Sequence, residues 1–123
     1  PDLYALVGDF YYNKKNYGKA IDSYEEVLMI DPENVHALNN LSWLFSTCPE
    51  EEFRNGEKAL EYAKRALMQK RASYILDTYA EALLVNNDIR TAVSASKEAF
   101  KRSKDKKEYY KTQLIRFEKL LSQ

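Results

Sequence analysis

The fold is decided by the stretch from Tyr4 to Pro32, which reads YALVGDFYYNKKNYGKAIDSYEEVLMIDP. Its apolar and small residues follow the three- and four-residue spacing of a helix. The polar segment Asn13 to Asn16 separates two such patterns, and Pro32 ends the second because proline cannot continue a helix. The stretch therefore predicts two helices, at about residues 2–14 and 17–30. The two predicted apolar faces are Tyr4, Val7, Gly8 and Tyr11, and Ala20, Tyr24 and Val27.

This stretch resembles a tetratricopeptide repeat (TPR), a 34-residue helix-turn-helix unit with preferred residues at fixed offsets. With residue 1 as the first repeat position, each of those offsets carries the expected residue or a close substitute. The resemblance places Gly8 and Ala20 where the first helix (A) and the second helix (B) of a repeat cross closely.

Two further units follow, at residues 35–72 and 73–104. The expected helix-B alanine of the second unit is Ala59, five residues late, so we interpret residues 46–56 (STCPEEEFRNG) as an insertion between its helices. We expect its helices at about residues 35–47 and 56–69, and a turn at residues 86–88 in the third unit. The residues that match helix A are Leu38, Leu41, Ser42 and Phe45, and Leu76, Tyr79, Ala80 and Leu83.

The last segment, residues 105–123, predicts a helix over about 106–121 with one apolar stripe. A repeat array must cover the open apolar face of its last unit, and this helix suits that role. We therefore predict one all-α domain, a right-handed TPR superhelix of three repeats with a C-terminal capping helix. The predicted stripe is Tyr110, Leu114, Phe117 and Leu121.

Charge and cysteine content exclude several classes of protein. The net charge is zero, which gives no sign of nucleic-acid binding. The charge is uneven, with a net −4 over residues 1–34 and +3 over residues 73–123. The single cysteine, Cys48, rules out an internal disulfide, and no apolar run approaches the roughly 18 residues of a membrane span. Since the chain begins with Pro1-Asp2, we expect it to be a piece of a longer protein.

The resemblance also predicts a partner-binding groove, because helix A of each repeat lines the concave face in this family. The mixture of acids, amides and aromatic rings there favours a peptide of basic or neutral character. The alternative is that Asn40 and Trp43 are structural or neutral surface residues. The predicted groove residues are Asp9, Tyr12, Asn13, His36, Asn39, Asn40, Trp43, Tyr74, Asp77, Thr78 and Glu81.

We do not expect binding to the acidic C-termini of heat-shock chaperones. Chaperone-binding members of the family hold a carboxylate with a clamp of five residues. At the five equivalent positions of this chain, only Asn40 is the residue that the clamp requires. Asp9 stands at a clamp position and would repel an anion. The positions compared are Ala5, Asp9, Asn40, Tyr74 and Thr78.

Signals for an enzyme are weak. His36 is the only histidine, so the chain cannot assemble a histidine metal cluster, and a serine-histidine triad has no support. We interpret Cys48 as a plain loop or partly buried thiol and residues 50–52 as a solvated acidic loop. We expect no cofactor, no metal and no catalysis.

The predicted function is a protein-interaction module, an adaptor or assembly scaffold. One alternative is a self-associating structural repeat domain that forms a homo-oligomer. Another is the accessory domain of a larger enzyme or membrane-anchored protein. We expect a cytoplasmic location by default, or the soluble part of a longer membrane-anchored or exported protein.

Overall fold

The computed structural model describes residues 2–123, so residue 1, where we began the first repeat, lies outside it. Within that range the chain is all-α, with a short 3₁₀ turn at Glu51–Phe53. Successive helices pack in pairs, α1 on α2, α3 on α4 and α5 on α6, and α7 packs on α6. The helices are α1 (Asp2–Asn13), α2 (Tyr17–Ile30), α3 (Val35–Thr47), α4 (Gly56–Gln69), α5 (Ser73–Val85), α6 (Ile89–Arg102) and α7 (Lys107–Leu121).

The turns inside the first and third pairs have the same geometry. Lys15 and Asn87 both adopt left-handed backbone, with φ of 62° and 63°. The next residue caps helix B: Asn16 accepts a hydrogen bond from the amide of Lys19, and Asp88 does the same for Thr91. Each of these turns is therefore set by local signals that lie within a few residues of sequence.

The insertion in the second pair keeps the same closing contact. Asn55 caps α4 through its side chain, and its own amide donates to the Phe45 carbonyl at 3.0 Å. The corresponding bonds in the other pairs join Asn16 to Tyr11 and Asp88 to Leu83. The extra residues consequently lie between two helices whose closing hydrogen bond is the same as in the other pairs.

Glycine in α1 and buried residues of the B helices form the closest contacts within the pairs. A Cβ on Gly8 would lie 2.5 Å from the ring of Tyr24, so only glycine lets α1 approach α2 this closely. The equivalent helix-B positions of all three pairs are buried: Ala20, Tyr24 and Val27; Ala59, Ala63 and Ala66; Ala92, Ser96 and Ala99.

The prediction for the last helix needs one correction. Tyr110 and Phe117 are buried, as expected, but Leu121 is 40% exposed. Leu120 packs against the core in its place. Residues three and four positions after Phe117 both lie near its face of the helix. The core is on the side of Leu120, three residues on, and not of Leu121, four residues on.

Candidate functional site

Nine of the eleven predicted groove residues line two neighbouring depressions, which we call the first and second depressions. The first has a volume of about 290 Å³ and the second of about 530 Å³, and both share Asn40 and Trp43. His36 and Glu81 line neither of the two. The first is lined by Asp9, Tyr12, Asn13, Tyr24, Asn40 and Trp43, and the second by Asn39, Asn40, Trp43, Tyr74, Asp77, Thr78, Lys106, Tyr109 and Tyr110.

Asp9 joins three helices at the floor of the first depression. The hydroxyl of Tyr24 donates a short hydrogen bond to its Oδ1. Asn40 Nδ2 donates to the same oxygen at 2.9 Å, and His36 Nε2 lies 2.8 Å from Oδ2. The Asp9 carboxylate is thus held by groups from α2 and α3, and a basic ligand would have to share it with them.

The pKa of Asp9 follows from this network. Burial alone would raise it, but the hydrogen bonds from Tyr24 and His36, the charge of His36 and the amide of Asn40 outweigh burial. The pKa of Asp9 is therefore lowered, and the carboxylate is ionised at neutral pH. In turn, burial and the adjacent Asp9 raise the pKa of the Tyr24 phenol, which stays protonated as a donor.

The same carboxylate orients the two amides of α3. Because Asn40 uses its NH₂ group on Asp9, its Oδ1 is left to accept a bond from Asn39 Nδ2 at 3.3 Å. That assignment points the carbonyl end of Asn39 away from Asn40. Asn39 Oδ1 is buried and has no hydrogen-bond partner among the described residues.

The capping helix α7 binds the acidic face of α5. Tyr109 donates to Asp77 Oδ2 at 2.7 Å, and Gln113 Nε2 reaches Asp77 Oδ1 and Glu81 Oε2, each at 2.9 Å. Arg116 forms a two-bond contact with Glu81, at 2.5 and 3.1 Å. Asp77 and Glu81, which we predicted as groove residues, are therefore buried beneath α7, although Asp77 still lines the second depression.

The pKa of Asp77 moves in the opposite direction from that of Asp9. Burial is the largest cause and raises it; the hydrogen bonds from Gln113 and Tyr109 oppose burial, while the nearby charge of Glu81 adds to it. The net result is a raised pKa. The pKa values of these two carboxylates thus move in opposite directions chiefly because Asp77 is the more deeply buried, whereas at Asp9 the hydrogen bonds and the nearby His36 outweigh burial.

Four lining residues were not in the predicted set. Tyr24 belongs to helix B and reaches the first depression past Gly8, a path that the missing side chain at Gly8 could have indicated. Lys106, Tyr109 and Tyr110 belong to the capping segment, and no local pattern in that segment indicates that it lines the second depression.

The remaining candidate residues take structural places. Cys48 is fully buried, and burial raises the pKa of its thiol. In the insertion, Phe53 packs against Tyr17, with ring centroids 6.2 Å apart, so that loop is anchored to α2. Among the side chains that the structure describes, no group of three or more His, Cys, Asp or Glu could hold a metal ion.

Comparison with known proteins identifies the repeat. The family model described as tetratricopeptide repeat matches residues 1–34, and such domains generally mediate protein interactions and are typically non-catalytic. No curated protein matches the chain in sequence. Within residues 2–123, no helix is long and apolar enough to cross a bilayer. Residues 1–34 thus match the tetratricopeptide-repeat model, and the seven described helices are consistent with three such repeats and a capping helix.

Proposed function

We propose that the two depressions together form a groove that holds an extended segment of a partner protein, and that the domain is non-catalytic. The observation that carries this proposal is their continuity: they meet at Asn40 and Trp43, between residues of α1 on one side and α7 on the other. Stacked helices keep such a surface preorganised, so the partner bears most of the ordering cost of binding.

Trp43 is the residue that the proposal depends on most. It borders both depressions and is only partly exposed, which suits a rigid apolar contact with a polar edge. Asn40 lies beside it and is held in place by Asp9. A partner segment that crosses from one depression to the other must pass over this pair.

Selection from a displayed random-peptide library tests the proposal. We expect an enriched sequence family that binds the parent chain, that loses binding to Trp43→Ala, and that keeps it with Met68→Ala. Met68 is 83% exposed on α4 and lines neither depression. Met68→Ala therefore removes exposed apolar surface outside the groove and is the control for Trp43→Ala. Circular dichroism checks that both variants remain folded. Failure to enrich any peptide, or equal binding by Trp43→Ala, would contradict a groove site.

A second proposal is self-association through α1. Several apolar side chains of α1 are exposed, and the first repeat is acidic whereas the last third of the chain is basic. An end-to-end contact would cover that face and bring opposite charges together. The exposed residues are Leu3 (74%), Tyr4 (57%), Leu6 (54%), Val7 (43%) and Phe10 (56%).

Analytical ultracentrifugation at low and high salt tests self-association. We expect a mass that rises with concentration at low salt and that returns to the monomer value in Leu6→Lys. Met68→Lys is the matched control, because it adds the same charge elsewhere. A monomer mass that does not change with concentration would rule this proposal out.

A further inference from the structure

The second depression lies where the ninth repeat position carries an uncharged residue. The ninth position of the three repeats is Asp9, Trp43 and Glu81. Asp9 receives donors from α3, and Glu81 receives donors from α7. Trp43 has no carboxylate that could accept hydrogen bonds from α5. The second depression lies between Trp43 and the residues of α5.

The amides on the α3 side present acceptors. Asn40 donates to Asp9 and to Tyr24, which uses both hydrogens of its NH₂ group, and Asn39 donates one of its two hydrogens to Asn40. Asn39 is 8% exposed, lines the depression, and has a buried Oδ1 without a partner among residues 2–123. A buried acceptor without a donor is unfavourable, and a ligand N–H group that reached it would relieve that cost.

Two hydroxyls on the opposite side, those of Thr78 and Tyr109, already donate their hydrogens. Tyr109 donates its hydrogen to Asp77 at 2.7 Å, and Thr78 donates to the Tyr74 carbonyl at 3.1 Å. Each hydroxyl has one hydrogen to give, so what these oxygens still offer a ligand is lone pairs. Asp77 adds a buried carboxylate to the same wall.

Aromatic rings supply the rest of the lining. Trp43, Tyr74, Tyr109 and Tyr110 all border the depression, with Tyr109 and Tyr110 in an edge contact at 5.1 Å. The faces of such rings attract cations. Tyr74 already shows this attraction, because the ammonium of Lys70 lies 5.3 Å from its ring centroid.

We propose that the second depression binds an arginine side chain of the partner segment. A planar guanidinium stacks on aromatic rings and carries five N–H donors, which matches a lining of ring faces and hydrogen-bond acceptors. This inference rests on the proposed groove and names the residue that the groove selects. Lys106 is the one cation in the lining; it is exposed, at the edge of α7, and its charge weakens the site.

The probe is the capped pentapeptide acetyl-Ala-Ala-Arg-Ala-Ala-amide. Versions with citrulline, lysine, norleucine or glutamate in place of arginine are the comparison peptides. Trp43 is the only tryptophan in the chain and borders both depressions, so tryptophan fluorescence reports binding in the groove, and a variant of Lys106, which lines only the second depression, assigns the signal to that depression. We expect saturable binding of the arginine peptide, about ten-fold tighter than that of the citrulline peptide, which has the same shape without the charge.

Lys106→Glu tests the electrostatic part of the inference. Removing the rim cation and adding an acid should tighten binding of the arginine peptide by about five-fold at low salt. Lys111→Glu is the matched control, because Lys111 is exposed on the same helix and lines neither depression. We expect that variant to change the affinity by less than about two-fold at the same salt concentration.

Four results would overturn the arginine assignment: no binding of the arginine peptide, equal binding of the lysine or citrulline peptide, preference for norleucine or glutamate, or unchanged or weaker binding by Lys106→Glu. The library selection separates this failure from failure of the groove itself. Selected peptides that depend on Trp43 but lack arginine would keep the groove and refute the assignment. If no peptide were selected and the arginine peptide did not bind, both the groove and the arginine assignment would be refuted.

Discussion

At the scale of single residues, one repeat position accounts for much of the difference between the three groove segments. An acid there, as in Asp9 of α1 or Glu81 of α5, is bound by side chains of the next helix but one, α3 or α7, and links neighbouring units. A tryptophan there, as in Trp43, makes no such link and borders both depressions. The side chain at this position therefore decides whether a segment forms hydrogen bonds to the neighbouring unit.

Asp9→Ala should lower the free energy of unfolding by about 2 kcal/mol, because it removes the acceptor for Tyr24 and Asn40 and leaves those donors unpaired. Urea denaturation measures the change. Asp22→Ala, at an exposed position of α2, is the control and should stay within about 0.5 kcal/mol of the parent. Equal effects of the two substitutions would show that the network contributes nothing.

Alanine substitutions at two glycines should change the stability of the chain in opposite directions. Gly8→Ala should destabilise the chain by about 1–2 kcal/mol, since its Cβ would meet the buried Tyr24 ring at 2.5 Å. Gly18→Ala should stabilise it by up to about 1 kcal/mol, because its Cβ meets Phe53 at an ordinary 3.7 Å and alanine favours the helix. Thermal denaturation of both variants is the measurement, and a stabilised Gly8→Ala would contradict the close crossing of α1 and α2.

At the scale of elements, α7 is held by apolar and polar contacts together. Phe117 is fully buried against the core, while Arg116 and Gln113 bind the acids of α5. The polar contacts fix the position of α7, because Glu81 is only 5% exposed and needs a partner for its charge.

Arg116→Leu should therefore cost about 2 kcal/mol, by leaving the Glu81 charge buried with Gln113 as its remaining donor. Adding Glu81→Gln to that variant should recover about half of the loss, since the uncompensated charge is then gone. Urea denaturation of the single and double variants measures both steps. If the double variant were less stable than Arg116→Leu alone, the cost would not come from the buried charge.

A second ionic contact ties the segment before α5 to α6. Glu98 accepts bonds from Arg71 at 2.6 and 2.7 Å and from Arg102 at 2.6 Å. Chiefly because of Arg71, and despite partial burial, the pKa of Glu98 falls from 4.5 to about 2. A lowered carboxylate pKa stabilises the fold above pH 4.5, and this contribution is lost as the pH falls from 4.5 to about 2.

Glu98→Gln should consequently lower the free energy of unfolding by about 1 kcal/mol at neutral pH, a modest value because the arginines are half exposed and screened. The difference from the parent chain should shrink between pH 4.5 and about 2. Denaturation curves across that range test it, with Glu118→Gln on α7 as an exposed control. A difference that does not depend on pH would contradict the ionic origin.

At the scale of the whole molecule, equivalent positions differ in burial along the array. Leu38, Leu41 and Leu76 are fully buried because a helix of the preceding repeat covers them, whereas Tyr4 and Val7 are 57% and 43% exposed. In an array of stacked units, each unit is stabilised by its neighbours, so the covered middle is the most stable part.

Amide hydrogen exchange should be slowest in the covered middle of the array and faster towards α1. We expect the slowest exchange in α3 and α5, which each contribute eight buried residues, and the fastest exchange in α1. Mass spectrometry of peptic fragments, or nuclear magnetic resonance, gives the protection of each helix. Uniform protection from α1 to α7 would show instead that the array unfolds as one cooperative unit.

The sequence by itself determined the helices and their turns. Apolar spacing, asparagine and aspartate caps and Pro32 act within about four residues, so they can be read without knowledge of the fold. The helices predicted at 17–30, 35–47 and 56–69 have those bounds in the structure, and the close crossing at Gly8 was likewise predictable.

Only the tertiary structure decided how the groove is divided. Asp9 meets Tyr24, 15 residues away, and Asn40, 31 residues away, while Asp77 meets Gln113 at a separation of 36. No local pattern reports whether a carboxylate will face a ligand or a neighbouring helix. That choice depends on which side chains the stacking of helices brings within hydrogen-bond distance, and stacking is a property of the whole array.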